Sequence, residues 1–315
     1  MKRSSLIWET ATILPGIDPM DGILLVDKPS GMTSHDVVLQ LRRMLPGARI
    51  GHTGTLDPNA TGLLIGLVGR ATKISRFMMG LDKEYLFTIE LGVETDTHDT
   101  WGQVVSTGST LGVDAERILD AASRFRGRYQ QIAPSVSAIK HQGTPLYKLA
   151  REGRVTPIKT RVVEIREFQV TDISLPQVAF RVVCSSGTYV RSLARDMGRQ
   201  LGCGAAVSSL RRIRIGAFGV EEATVLGDLV EGRSTPREVM LSIEEALKHL
   251  PRIGLKADSV AGIRAGRQPL AADFESADLD FKGEYVALTD QAGTIIGIAV
   301  RSAEAASHLK TERII

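Results

Sequence analysis

The sequence is poor in the features that mark several large classes of protein. Its two cysteines, Cys184 and Cys203, are far apart and in no C-x-x-C spacing, which fits a reducing cytosol better than secretion, and neither has the setting of a nucleophile. No apolar run reaches the length needed to span a membrane; after Met1-Lys2-Arg3 the apolar residues are broken by Glu9. A cytoplasmic protein is expected. One cluster, Glu94-Thr-Asp96-Thr-His98-Asp99, is rich in metal-binding side chains, but its spacing fits neither a calcium loop nor a zinc motif, so no metal is expected. Charge is nearly balanced, at +3 overall, so a nucleic-acid partner cannot be argued from the total.

What is present is an ordinary soluble composition, 43% hydrophobic and 24% charged over 315 residues, enough for one large domain and a small one. The charge is unevenly spread. Seven Lys or Arg stand against two acids between Lys140 and Arg166, and six Arg against one acid between Arg191 and Arg214. Such clusters neutralise phosphates or simply face solvent. Residues 251–315, by contrast, carry eight basic and nine acidic side chains.

The most informative stretch is Gly51-His-Thr-Gly-Thr-Leu-Asp57-Pro-Asn-Ala-Thr-Gly62, followed by the apolar run Leu63 to Val68. Three glycines in twelve residues permit backbone angles closed to other residues. Pro58 holds its own φ and biases Asp57 towards an extended conformation, so the acid belongs to a stiff loop before a buried strand. Read by spacing alone, this is a turn.

Periodicity supplies the surroundings. Asp21 to Asp27 reads as a buried strand, and Thr33 or Ser34 as the cap of a helix from His35 to Leu45. Ser34-His35-Asp36 is no triad, because consecutive helical residues point about 100° apart. A strand over Leu63–Val68, a helix over Arg70–Leu81 and an alternating strand over Lys83–Leu91 follow, with Tyr85 on the last. A helix spans Asp114–Phe125, and strands cover Arg161–Ser174 and Val178–Ser185. Thr188 is placed to cap a helix whose apolar stripe is Val190, Leu193, Ala194 and Met197, with Arg191, Arg195 and Arg199 opposite. The tail has short strands at Tyr285–Leu288 and Thr294–Val300. These elements suggest an α+β domain on a mixed sheet.

The words of the segments resemble one family. Gly-His-Thr-Gly-Thr-Leu-Asp-Pro-x-Ala-Thr-Gly-Leu-Leu is similar to the catalytic loop of the bacterial tRNA pseudouridine-55 synthases, the TruB family. Asp27-Lys28-Pro-x-Gly-Met-Thr-Ser, Asp82-Lys-Glu-Tyr85, Thr95-Asp-Thr-x-Asp-x-x-Gly102, Gly187-Thr-Tyr189-x-Arg191 and Leu210-Arg-Arg-x-Arg-x-Gly-x-Phe218 match further family segments in order. Val136 stands where the family usually has an aromatic residue, and Ala217 where proline is more usual.

The resemblance implies a pseudouridine synthase fold: an α+β domain whose central mixed, largely antiparallel sheet is flanked by helices and loops, plus a small C-terminal PUA-like β domain. It divides the chain into an extension (1–20), a catalytic domain (21–250) with an RNA-binding thumb-like insertion at about 134–162, and an RNA-binding tail (251–315). It implies Asp57 as the catalytic acid, acting as nucleophile or as base at C2′, with Tyr85, Arg191, Tyr189 and Leu210 around the uracil. His52, Lys28, Lys148, Arg151 and Arg154 are implied as RNA contacts. The implied reaction, uridine to pseudouridine at position 55 in the T loop of tRNA, needs no cofactor. The implied enzyme is a monomer with no obligatory protein partner. A guide-RNA-dependent relative, or an RNA-folding tRNA chaperone, are the alternative readings.

Overall fold

The computed structural model describes residues 20–134, 140–141, 144–145, 160–276, 281–302 and 309–315. The extension before residue 20 and most of the expected thumb, with Lys148, Arg151, Arg154 and Val136, lie outside these residues.

The strands that build the large sheet are β1 (Gly22–Lys28), β2 (Ile50–His52), β3 (Thr61–Val68) and β4 (Lys83–Leu91). After the hairpin of β5 (Val93–Thr95) and β6 (Val104–Thr107) come β7 (Gly127–Ile132) and two short strands, β8 (Lys140–His141) and β9 (Thr144–Pro145). The sheet is completed by β10 (Thr160–Ser174), β11 (Gln177–Cys184) and β12 (Ala205–Ile215), then β13 (Phe218–Gly219), β14 (Thr224–Val225) and β15 (Met240–Leu241). Its main path runs β14-β1-β3-β12-β4-β11-β10-β7, with β2, β13 and β15 attached beside it. The β1–β14 and β3–β12 pairs are parallel and the others antiparallel, so the sheet is mixed and largely antiparallel as expected.

Alternation decides which face is covered. In β4 the odd residues Tyr85, Phe87, Ile89 and Leu91 are buried while Leu86 is exposed, and in β11 Val178, Phe180 and Val182 are buried. Their rings and branches meet α3 (Ala115–Ser123) and α4 (Val190–Leu201), where Ile118, Leu193 and Met197, with Phe125 just beyond α3, complete one core. On the other side of the β1–β3 ribbon, α1 (Ser34–Met44) packs Val37, Val38 and Leu41 onto Leu24, Val26 and Leu64.

β12 carries two irregularities. Its pairing with β4 slips once between Val207 and Ser209 and again between Arg212 and Arg214, so Ser208 and Ile213 are extra residues, each a β-bulge. Between the bulges Leu210 and Arg212 share one face, and Arg211 takes the other.

Several expectations shift. The expected helix over Arg70–Leu81 is a 3-10 turn, Gly69–Ile74, followed by the short α2, Ser75–Met79. Its buried residues Ala71 and Ile74 are three apart, the period of a 3-10 helix. Thr188 does not cap α4; Tyr189 holds that position without a side-chain bond, and the Thr188 hydroxyl donates to Ser185 O (2.9 Å). The arginines of α4 are not one solvated face: Arg191 and Arg195 are each 5% exposed, and only Arg199 reaches solvent.

The tail forms a four-stranded sheet, β16 (Arg252–Gly254), β17 (Tyr285–Thr289), β18 (Ile295–Arg301) and β19 (Leu309–Ile314), in that order. It does not stand apart. Ala287, Ile295 and Ile298 share a core with Ile23, Leu63, Phe77 and Met78, and the Phe77 and Tyr285 rings meet edge to face at 5.0 Å.

Candidate active site

The loop between β2 and β3 carries Asp57 and is tied down from both sides. Ser34, at the start of α1, donates through its hydroxyl to Leu56 O (3.2 Å) and accepts from Leu56 N–H (2.8 Å). Gly31 N–H donates to Pro58 O (3.0 Å), and Ser30 Oγ donates to Asn59 O (3.2 Å). Ala60 N–H closes a turn onto Asp57 O (3.1 Å). Gly62 sits at φ +99, and a Cβ there would lie 2.2 Å from Arg212 O; only glycine lets β3 meet β12 this closely.

Lys28 belongs to this framework. The resemblance implied an RNA contact, but its side chain is fully buried and its ammonium donates to Pro29 O (2.8 Å), Met32 O (2.7 Å) and Pro58 O (3.0 Å). Three acceptors use all three N–H bonds, so the residue struts the loop and presents no charge to a phosphate. Burial pushes its pKa down to about 8, with Asp57 acting in the opposite direction.

Asp57 and Arg191, 134 positions apart, meet as a two-point pair: Arg191 Nε and Nη2 donate to Asp57 Oδ2 and Oδ1, both at 2.9 Å. Arg191 Nη1 also donates to Thr97 O (2.9 Å) and lies 3.8 Å from Asp99 Oδ2. The guanidinium is nearly buried, at 6% side-chain exposure, whereas the carboxylate keeps 37%. The arginine is thus anchored inside and grips an acid that still faces outward.

The first turn of α4, which carries Arg191, is held by β7. Gln131 is fully buried; its Nε2 donates to Tyr189 O (3.0 Å) and its Oε1 accepts from Tyr189 N–H (2.7 Å). Ser192 Oγ donates to Ile132 O (2.7 Å). Neither residue was singled out in the sequence, and no local pattern marks a side chain that bonds a backbone 58 positions away.

Asp57 borders two cavities. The inner one, of about 250 Å³, is lined by Asp57, Tyr85, Tyr189, Arg191, Leu210 and Arg212 among others. It therefore brings Asp57 together with the four residues implied around the uracil, Tyr85, Arg191, Tyr189 and Leu210. The outer one, of about 590 Å³, also contains Asp57 and Arg191 and extends over His35, His52 and Trp101. His52 accepts the Gly54 N–H at Nδ1 (3.2 Å), which leaves the neutral ring's proton on Nε2; burial and Arg212 lower its pKa.

Arg212 is a further residue that sequence reasoning passed over. In the sequence it is one arginine of a basic cluster, yet it is 1% exposed, with Nε donating to Leu63 O (2.8 Å) and Nη2 to Gly54 O (3.2 Å). Tyr85, in register with it across the sheet, keeps its phenol neutral, its pKa raised chiefly by burial. The signal was the period of two that puts Arg212 on the same face as Leu210.

Asp96 and Asp99 fold the turn between β5 and β6: Asp96 Oδ1 accepts from Gln103 N–H (2.8 Å), and Asp99 Oδ1 from Thr97 Oγ1 (2.7 Å). Among the described residues no helix is long and apolar enough to cross a membrane.

Comparison with known proteins agrees with the segments already noted. Residues 42–190 match the model of the TruB family pseudouridylate synthase N-terminal domain, and residues 191–248 that of the tRNA pseudouridylate synthase B C-terminal domain. The chain is 43% identical over 258 residues to tRNA pseudouridine synthase B of Geobacter sulfurreducens, covering 81% of this chain and 85% of that one. It is 41% identical over 279 residues to the protein of that name from Syntrophotalea carbinolica, covering 88% and 90%. Among solved structures, an H/ACA RNP bound to a substrate RNA containing 2′-deoxyuridine superposes at a TM-score of 0.71 with 24% identity, covering 93% of this chain and 84% of that one, which shows the fold. An archaeal box H/ACA sRNP complex of Nop10 and Cbf5 gives 0.70 at 25% identity, covering 93% and 85%. With its sheet, its segments and most of its length in common with these relatives, the chain belongs to the TruB family of pseudouridylate synthases.

Proposed function

We propose that this chain isomerises uridine to pseudouridine in tRNA, and that its target is the T-loop uridine at position 55. The observation that carries the reading is the open carboxylate of Asp57, gripped at two points by buried Arg191 at the wall of a cavity that also holds Tyr85 and Leu210. In the reaction the bond from ribose C1′ to N1 breaks, the uracil turns, and C5 joins C1′; the proton leaving C5 is balanced by one gained at N1. Nothing is added, so an oriented acid and a fitted pocket suffice.

The chain's residues divide the work. A uridine flipped out of folded RNA costs a few kcal/mol in lost stacking, offset by contacts in the pocket and to phosphates. Tyr85 supplies a ring face and Leu210 an apolar wall for the base. Arg191 holds one Asp57 orientation, so the carboxylate meets the sugar without rearranging. Attack at C1′ and proton removal at C2′ demand the same thing, an unprotonated oxygen aimed at the ribose.

His52, on the floor of the outer cavity, offers an Nε2 proton to the RNA. Lys148, Arg151 and Arg154 serve as phosphate contacts, and residues 251–315 as a PUA-like RNA-binding module beside the catalytic region, 21–250. The enzyme works in the cytoplasm as a monomer without a protein partner; the curated relatives, named for tRNA, favour this over the guide-RNA reading. The test is tritium release from tRNA labelled at uridine C5. Asp57→Asn, which removes the charge and almost no volume, abolishes release while tRNA affinity stays within several-fold; retained turnover would sink the assignment.

A further inference from the structure

Trp101 stands at a position that the segment Thr95-Asp-Thr-x-Asp-x-x-Gly102 leaves open, and it has no part in the chemistry above. Its side chain is an unusual thing to leave in water: the residue is 52% exposed. A single exposed apolar residue is ordinary on a protein surface. Three observations set this one apart.

The first is rigidity. Trp101 N–H donates to Asp99 Oδ1 (3.3 Å), Gly102 N–H to Asp99 O (3.2 Å) and Thr100 N–H to Val207 O (2.9 Å), so the turn is pinned to β12 and the indole is displayed from a fixed backbone. The second is position. The indole lines the outer cavity that contains Asp57, and it also lines a neighbouring cavity of about 550 Å³; Asn59, Trp101 and Leu210 form the rim between the two.

The third is the chemistry of that neighbouring cavity. Its lining is mostly apolar, from Leu86, Phe87, Phe180 and Leu210, with hydroxyl-bearing residues such as Ser30, Thr61 and Ser209 among them. Its one charged group, Arg211, is already paired with Asp27 through Nη1 to Oδ1 (3.1 Å) and Nη2 to Oδ2 (2.6 Å). A neutral, mostly apolar space with a few hydroxyls, and with an aromatic face at its rim, suits a nucleoside better than a phosphate. Its volume lies in the roughly 300–1,000 Å³ range of small-ligand cavities.

We propose that Trp101 is a stacking platform for a nucleobase adjoining the target uridine in the same RNA, with the neighbouring cavity receiving that nucleoside. The proposal rests on the RNA-modifying reading above. The indole gives the flanking base a face to replace the neighbour it loses when the target flips, and so holds the strand open on one side of the catalytic cavity. Stacking tolerates any base, so Trp101 contributes affinity and alignment rather than sequence choice.

The chain has two tryptophans, so Trp8→Phe leaves Trp101 as the sole indole. Titrating that variant with a T-arm stem-loop RNA should quench its fluorescence as the base stacks. In the wild-type background Trp101→Ala should weaken stem-loop binding roughly five- to 150-fold, the range of one base–aromatic stack, and lower the saturated single-turnover rate by less than it lowers affinity. Trp101→Phe should recover most of the affinity. Unchanged fluorescence and unchanged affinity of Trp101→Ala would overturn the platform, as would equal impairment of the Ala and Phe variants with rate and affinity falling together. Tritium release by the wild-type protein in the same assay tests the functional reading separately, so either can fail while the other stands.

Discussion

At the scale of single residues, the informative contrast is between two arginines that the sequence presents alike. Arg191 and Arg212 both come from a basic stretch, and both are nearly buried, but one spends its fork on a carboxylate and the other on backbone carbonyls. The Asp57–Arg191 pair was legible only through family resemblance, since no spacing rule links residues 134 apart; Arg212 was legible in principle from strand alternation. Replacing Arg191 by lysine keeps a charge but loses the planar fork that grips both carboxylate oxygens. Single-turnover rates of Arg191→Lys should fall roughly tenfold to a thousandfold, because a charge-assisted contact contributes about 1.5–3 kcal/mol and misorientation adds to it. Filter binding should show little change in tRNA affinity; rate and affinity falling equally would make Arg191 an RNA contact instead. Lys28 and Lys83 give a second prediction. Burial lowers both to about 8, below the ordinary 10.5 of the unfolded chain. Above about pH 8 each of these lysines binds fewer protons folded than unfolded and so makes stability rise with pH, until above pH 9 Cys184, pushed by burial up to about 11, works the other way. Urea midpoints at pH 7.5 and 9 would show the rise, which should be smaller in Lys28→Met.

At the scale of elements, regular pattern was readable and local irregularity was not. β4 runs over Lys83–Leu91, the very residues whose alternation marked it, because one face is buried and the other is not. The helix expected over residues 70–81 failed because apolar residues three apart satisfy a 3-10 turn as well as an α-helix. Thr188 looked like a cap, but the first turn of α4 is held by Gln131 from across the fold. Position in a cap-like place says nothing of a competing partner brought by tertiary structure. The start of α1 has the reverse lesson. Ser34 was read as capping chemistry, and Thr33 takes that role in full, with Asp36 closing the capping box. Ser34 is therefore released to join α1 to the Asp57 loop. Ser34→Ala removes one donor and one acceptor between buried partners and should cost about 1–3 kcal/mol in denaturant melts. It should also speed hydrogen exchange at Leu56 N–H; an unaltered exchange rate there would show that the loop is held by its other bonds alone.

At the scale of the molecule, the two basic clusters have different fates. Half of the Arg191–Arg214 cluster, Arg191, Arg195 and Arg212, is buried and spent on acids and carbonyls, while Arg199, Arg211 and Arg214 reach solvent beside acidic partners. Changing Lys148, Arg151 and Arg154 together to alanine should weaken tRNA binding and reduce its salt dependence by up to roughly three units of slope. An identical slope would return those residues to the solvated surface. The tail's strands at residues 285 and 295 were readable by composition, but not the core they share with Phe77 and Leu63, since nothing local records which sheet a face will meet. The strand that does most to join these parts is β12, and its two bulges make it a kind of reading frame in space. Losing Ser208 or Ile213 would delete no group assigned to the reaction, yet it would shift the phase of the strand by one. Either Leu210 and Arg212 would then turn out of the inner cavity, or the residues flanking them would leave the core. The number of residues in β12 thus matters more to the site than the identity of the side chains at those two positions.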